Sequence, residues 1–394
     1  MRRIYLLLLI LYVVIRCTPF FPLPIRLISA GAVFLLGLII GAGNGMKICN
    51  RSYIIWTVVW LMYAAVSSLW AIRFNISAWN ILVDVLPILL VCYSVQFFVR
   101  NQDDLLSVFK SFYIASIIIL CILIVFVDLS ELEGNRMTYV TDNDEKWNSN
   151  FVALQLVVAI YLGYFSYWRT KHHKLISRFF YLIITATMVV VIGLCGSRAA
   201  LVCLIIPVFV NKLFERGGFV KALFLVAVVL GVGFILVFNI PILYSNIGVR
   251  IEELLAILSG NDDGTEDVSR FILAAAGLEW FKSSPIIGYG IKNFMVLSEK
   301  TIFEGFYAHN NYIELLVDVG ILGLITYYSS YVYLFRKRRL LDNYSKHWLV
   351  AFLVLILFAD LANVSYYDFT LQFVLCICFC VTKLFIANRK NENG

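Results

Sequence analysis

The sequence predicts an all-α polytopic membrane protein, with about 12 transmembrane helices and one long helical loop on a single side of the bundle. Three observations carry that expectation. Apolar residues make up 61% of the 394 and charged residues only 14%, where a soluble domain carries about a quarter. Mean hydropathy is +0.87. Many stretches reach the roughly 20 apolar residues that a spanning helix needs.

The chain opens Met1-Arg2-Arg3, followed by an apolar run from Ile4. That pattern resembles a signal peptide. No small-residue cleavage site follows and further spans come after it, so an uncleaved first helix is expected. Spans are expected near 4–20, 25–42, 53–71, 81–99, 111–127, 151–168, 179–195, 199–214, 220–239, 308–335, 348–367 and 369–387. Residues 1–150 hold the first five spans and a first outer loop, and 151–394 hold the rest, including a loop over 240–307.

Orientation follows from the basic residues of the short loops. With both termini cytoplasmic, the inner segments hold Lys47 and Arg51, Arg100 and Lys110, then Arg169, Lys171, Lys174 and Arg178. After them come Lys212, Arg216 and Lys221, then Arg336 to Arg339 and Lys346, then Arg389 and Lys390. The short outer loops are nearly free of Lys and Arg. The net charge of +7 is therefore mostly an orientation signal toward membrane lipids, and nucleic acid is not an expected partner.

Nine cysteines would suggest a disulfide framework in a small secreted chain. Here Cys92, Cys121, Cys203, Cys376, Cys378 and Cys380 fall within spans, where cysteine is an apolar filler. The alternation of the last three does not place them on one helix face. The run Asp142-Asn143-Asp144-Glu145 has the look of an acidic metal motif. No outer histidine or cysteine lies near it, so it reads as solvated loop. Neither a metal nor a cofactor is expected. Asp84, Gln155 and Asp360 are in-span polar residues, hence candidates for function or for pairing inside the bundle.

Two outer segments break the pattern of short loops, 128–150 and 240–307. A long loop on one side of a bundle usually carries function. The second has helical periodicity. Ile251, Leu254, Leu255 and Leu258 recur at helical spacing, and so do Phe271, Ala274, Ala275, Leu278 and Phe281. Ser269 is the expected N-cap of the second helix. No internal repeat is visible, and the large loop lies only in the second half. That argues against a transporter built from inverted repeats.

Of the four histidines, His172, His173 and His347 fall on the cytoplasmic side, and His309 alone lies outside. A histidine there can take or give a proton. It can also merely cap the helix that follows. Arg198 lies between two spans, preceded by Ser197, a candidate cap. A helix start with its free N–H groups, beside an arginine, makes an anion site. The alternative is an arginine snorkelling to headgroups. The positive-inside bias favours the anion site, since arginine is disfavoured on the outer side. Arg270 can reach an anion as well, or be ordinary surface charge. Two arginines and a histidine suit a reaction in which a diphosphate leaves and a hydroxyl attacks.

At this point a resemblance becomes specific. Arg270 is followed by Pro285-Ile286-Ile287-Gly288-Tyr289-Gly290, then His309-Asn310-Asn311-Tyr312, then Gly320-Ile321-Leu322-Gly323. Upstream stands Gly196-Ser197-Arg198-Ala199-Ala200-Leu201, and Arg136 precedes Asn150 and Ala153. The region of roughly 190–330 resembles the O-antigen ligase and polysaccharide polymerase family. The resemblance implies a GT-C-like bundle in the bacterial inner membrane, with its site on the extracytoplasmic face. It implies metal-independent, inverting transfer of a glycan from undecaprenyl diphosphate to a glycan or lipid-linked acceptor, alongside other polysaccharide-assembly proteins. By the same resemblance Arg198 and Arg270 hold the diphosphate and His309 serves the acceptor hydroxyl. Ser197, Asn310 and, more weakly, Arg136 bind substrate. Three activities stand open: a repeat-unit polymerase for O-antigen or capsule, a ligase onto a lipid A core or protein, and a flippase for lipid-linked oligosaccharide. The structured loop with its arginines favours an enzyme over a flippase.

Overall fold

A computed structural model describes residues 1–126, 148–168, 175–214, 217–249, 251–252, 266–302 and 305–392. Among these residues every regular element is helical and no strand occurs. Arg136, Asp142, Asp144, His172, His173 and the loop helix expected beyond residue 252 lie outside the described residues.

The chain divides into two compact units. The first comprises Met1–Cys49 with Ser94–Glu252, and the second Asn50–Tyr93 with Glu253–Gly394. In chain order the helices are α1 (Arg2–Cys17), α2 (Leu23–Ala42), α3 (Arg51–Ser67), α4 (Phe74–Phe98) and α5 (Gln102–Phe126). Then come α6 (Ser149–Gly163), α7 (Leu175–Leu194), α8 (Arg198–Leu213), α9 (Gly218–Asn239) and α10 (Glu266–Ser283). The last are α11 (Phe294–Ile302), α12 (Asn311–Lys337), α13 (Asn343–Ala359) and α14 (Phe369–Glu392).

Among the described residues eight helices are long and apolar enough to cross a membrane: α2 to α7, α9 and α12. The other four expected spans are shorter. α1 and α8 have 16 residues each, about 24 Å at 1.5 Å per residue, against a hydrocarbon core of about 30 Å. α13 has 17 residues. It ends at Ala359, eight residues before the expected end of its span at 367, because the chain turns at Asp360. The apolar part of α14, Phe369–Phe385, is also among the shorter helices. A multi-pass membrane protein therefore stands, and among the described residues eight of the twelve expected spans reach full length.

In the first unit α6 is buried all round, with Val152 to Gly163 inside. A helix apolar on every face belongs in a core. Gln155 is satisfied there, donating from Nε2 to Ser116 Oγ at 3.4 Å. α1 docks through Tyr5, which stacks on Phe98 at 4.5 Å and shares a 2.8 Å hydrogen bond with Ser94. Arg2 pairs with Asp104. α9 instead exposes Leu223, Phe224, Leu230, Phe234 and Ile235. Such a surface suits lipid and would be a liability in water.

In the second unit α3 is capped by Asn50, whose oxygen accepts from Ser52 N and whose amide donates to Phe379 O. Trp56 Nε1 donates to the carbonyls of Thr326 and Tyr327 at 3.1 Å. Cys92, Cys376, Cys378 and Cys380 are buried, as fillers should be, and Cys376 Sγ donates to the Cys92 carbonyl at 3.4 Å. α4 contains a π-turn at Ile81–Val85.

Candidate active site

The second unit is organised around a break in α12. Gly320 has φ 64° and ψ −171°, outside the helical region. An open turn in a helix frees backbone groups that must find partners. The loop 285–290 supplies them. The amides of Tyr289 and Gly290 donate to the carbonyls of Val317 and Asp318 at 3.0 and 2.7 Å. The amides of Ile321 and Leu322 donate to the carbonyls of Pro285 and Ile286 at 2.9 and 3.2 Å. Tyr63 Oη donates to the carbonyl of Val319 at 2.9 Å. Pro-x-x-Gly-x-Gly and Gly-x-x-Gly are thus two halves of one clip. Gly288, at φ 67°, lies so close that a Cβ would sit 2.5 Å from the Asp318 carbonyl.

The clip delivers the next residues to fixed places. Asp318 is fully buried and accepts from the amides of Lys292 and Phe294, both at 2.6 Å, capping α11. Asn293 donates to Ser77 Oγ at 2.8 Å and accepts from Arg73 N at 2.9 Å, which ties the loop to the start of α4. Lys292 holds a left-handed φ of 65°. Its Nζ lies 3.8 Å above the Tyr367 ring and 3.8 Å from Glu314 Oε1. Glu314, 1% exposed, accepts from Ala308 N at 2.8 Å.

That bond shapes the turn carrying His309. The histidine has φ 52°, and its ring lies 3.9 Å from that of Tyr307. Asn310 is the N-cap of α12, accepting from Tyr312 N at 3.0 Å and Ile313 N at 3.2 Å. The capping alternative for His309 is therefore excluded. The asparagine next to it does that work, and its Nδ2 also donates to Leu361 O at 3.5 Å.

Arg270 belongs to the same unit. α10 begins at Glu266, so Ser269 lies within the helix and cannot be its N-cap, which must have non-helical backbone. Nothing in Glu266-Asp267-Val268 breaks a helix, and the chain turns helical earlier than expected. α10 is anchored by Leu273, Phe294, Ala308 and Val317, with Trp280 and Ile313 packed against them. The helix that carries Arg270 and the turn that carries His309 thus share one apolar cluster.

Arg198 belongs to the first unit. It is the first residue of α8, and Ser197 caps that helix as expected, accepting from Ala200 N at 3.4 Å. Glu299 pairs with Arg73 at 2.7 Å. Asp84 accepts from Asn80 Nδ2 at 3.0 Å, and Asp360 accepts from Tyr328 Oη at 2.7 Å. Sequence reasoning missed Lys292, Glu314 and Asp318. The signal was present, since two acids four residues apart inside an apolar run fall on one helix face. Among the described residues no group of three or more His, Cys, Asp and Glu is placed to hold a metal ion.

Comparison with known proteins finds the O-antigen ligase family over residues 183–328, close to the region that resembles it in motif. No curated protein matches the chain. The matched segment contains Ser197, Arg198, the Gly288 clip, Arg270, His309 and the break at Gly320. It supports an enzyme of ligase or polymerase type in a multi-pass membrane protein handling lipid-linked glycan. Residues 183–328 thus resemble the O-antigen ligase family, over the segment that carries Arg198, Arg270 and His309.

Proposed function

We propose that this protein polymerises lipid-linked oligosaccharide repeat units into surface polysaccharide, by metal-independent, inverting transfer from undecaprenyl diphosphate. The observation that carries the reading is the His309 turn. A histidine relieved of capping is held in a left-handed turn, inside the matched segment, on the unit that carries Arg270. In the reaction an acceptor hydroxyl oxygen attacks the anomeric carbon as the bond from that carbon to the diphosphate oxygen breaks. The hydroxyl proton passes to the His309 imidazole. The diphosphate leaves on its lipid with its charge held by Arg198 and Arg270, whose planar forks match phosphate oxygens. Ser197 and the start of α8 add a helix N-terminus to that anion site. The site faces outward from the cytoplasmic membrane.

Polymerase is preferred to ligase on one ground: every surface-polysaccharide system built from repeat units needs a polymerase, whereas a ligase needs a suitable final acceptor. Loss of the gene separates the two. Cells lacking a polymerase should keep single repeat units and lose polymer. Cells lacking a ligase should accumulate full-length polymer on the lipid carrier. Unchanged polymer length and attachment would refute both. Chelation of divalent cations should leave turnover of the purified protein unchanged.

A further inference from the structure

The second unit contains a cavity of about 380 Å³, within the range of about 300–1,000 Å³ typical of small-ligand sites. Asn75, Trp79, Asn80 and Asp84 of α4 line it, facing Lys292 and Met295 from the loop and α11. Its residues take no part in the reaction proposed above. Three independent features mark it as built.

Asn80 is only 3% exposed, yet its Oδ1 has no hydrogen-bond partner. Its Nδ2 is spent on Asp84. A buried amide oxygen without a donor is costly, and native structures leave few of them. The π-turn at Ile81–Val85 carries Asp84, and π-turns inside helices recur at functional sites. Lys292 holds a left-handed backbone although it is not glycine, and such strain clusters at ligand sites.

The chemistry of the wall selects the ligand. Asp84 and the Asn80 oxygen accept hydrogen bonds. Asn75 supplies an amide, and Trp79, 61% exposed, offers an aromatic face. The Lys292 ammonium is already balanced by Glu314 and by the Tyr367 ring. A phosphate entering here would meet Asp84 with little uncompensated positive charge to offset the repulsion. A sugar ring, with hydroxyl donors on its edge and an apolar face, fits both the acceptors and the indole. The cavity reaches toward the proposed base through its lining residue Lys292. Lys292 Nζ lies 5.8 Å from the Tyr307 ring, which packs at a tilt against the His309 ring at 3.9 Å.

We propose that this cavity is a saccharide subsite that seats a neutral sugar residue of the acceptor glycan beside His309. The proposal rests on His309 being the base for the acceptor hydroxyl.

The test uses the purified full-length protein in lipid nanodiscs. The probes are methyl glycosides of glucose, galactose, mannose, rhamnose and N-acetylglucosamine, with sodium pyrophosphate as the anionic comparison. Trp79 fluorescence, read against Trp79→Phe, reports occupancy. At least one glycoside should change it saturably. Asp84→Asn and Asn80→Ala should weaken that glycoside about tenfold or more, while His309→Ala leaves it within about twofold. Should Asp84→Asn or the buried Asn80→Ala fail to fold, Asn75→Ala and Trp79→Ala stand at exposed positions. They should then abolish the rise in unfolding temperature that the glycoside gives the wild type. No saturable glycoside signal, or undiminished affinity in these variants, would overturn the proposal. So would saturation by pyrophosphate alone, which would make the cavity an anion site. Active Arg198→Ala and His309→Ala variants alongside glycoside binding would sink the catalytic reading and leave the subsite. Inactive variants without glycoside binding would sink the subsite alone.

Discussion

Replacing Gly320 by alanine gives effects of opposite sign according to whether α12 is continuous or broken. In a continuous helix, exchange of an interior glycine for alanine stabilises by about 1 kcal/mol. In the broken helix the backbone at φ 64°, ψ −171° lies in a region open essentially to glycine alone, so a side chain there costs about 1–3 kcal/mol. The new Cβ would also stand 2.3 Å from the Ile286 carbonyl oxygen and 2.6 Å from Ile287 N. Relieving that overlap costs about 1–3 kcal/mol more. It also pushes apart the clip, with its four backbone hydrogen bonds. The expected loss is about 2–6 kcal/mol. Denaturant titration of the detergent-solubilised protein, followed by a thiol-reactive dye, measures it, because Cys376, Cys378 and Cys380 are buried in the folded state. Gly231→Ala in α9, where nothing lies within 4 Å of the added Cβ, is the control and should be neutral or mildly stabilising. A Gly320→Ala protein as stable as wild type, or more stable, would refute the broken helix and the role given to the Gly288 clip.

Other substitutions test the proposed site residues and the cap of α12 themselves. His309→Asn keeps a residue that tolerates a left-handed backbone, and Asn310 still caps α12. Turnover should nonetheless fall about 10²–10⁴-fold, as in His309→Ala, if the imidazole takes the proton; wild-type turnover in His309→Asn would remove that assignment. Arg198→Ala should abolish transfer while the protein still inserts, and Arg198→Lys should rescue poorly, because an ammonium cannot reproduce the bidentate fork. Full transfer by Arg198→Ala would return the residue to a headgroup anchor. Asn310→Ala should lower stability by about 0.5–2 kcal/mol and Asn310→Asp should restore most of it, as read by thermal unfolding. Equal stability of all three proteins would show that the cap contributes nothing.

Much of the fold was legible in the sequence because it rests on local terms. Hydropathy over a window of about 20 residues identifies an apolar helix without reference to its neighbours. Each segment expected to span contains a helix, and among the described residues eight of these reach full length. Ser197 was readable as a cap because capping joins residues three apart. The motifs around Arg198, Arg270 and His309 led to the family later found over residues 183–328.

What the sequence could not display are the pairings between distant residues. Gln155 meets Ser116, 39 residues away, and Asp360 meets Tyr328, 32 away. Neither pairing leaves a trace in periodicity. Asn310 and His309 compete for one capping position, and only the backbone angles decide between them. Gly320 is the clearest case. A single glycine in an apolar run reads as a tolerated helical residue. Whether the ladder opens there depends on a loop some 30 residues upstream offering two carbonyls and two amides in the right places. Those four backbone groups belong to every sequence alike, so local reading is blind to them. Their placement against α12 is a property of the tertiary structure alone, and it is what sets Lys292, Asp318 and the cavity beside Asp84 in position.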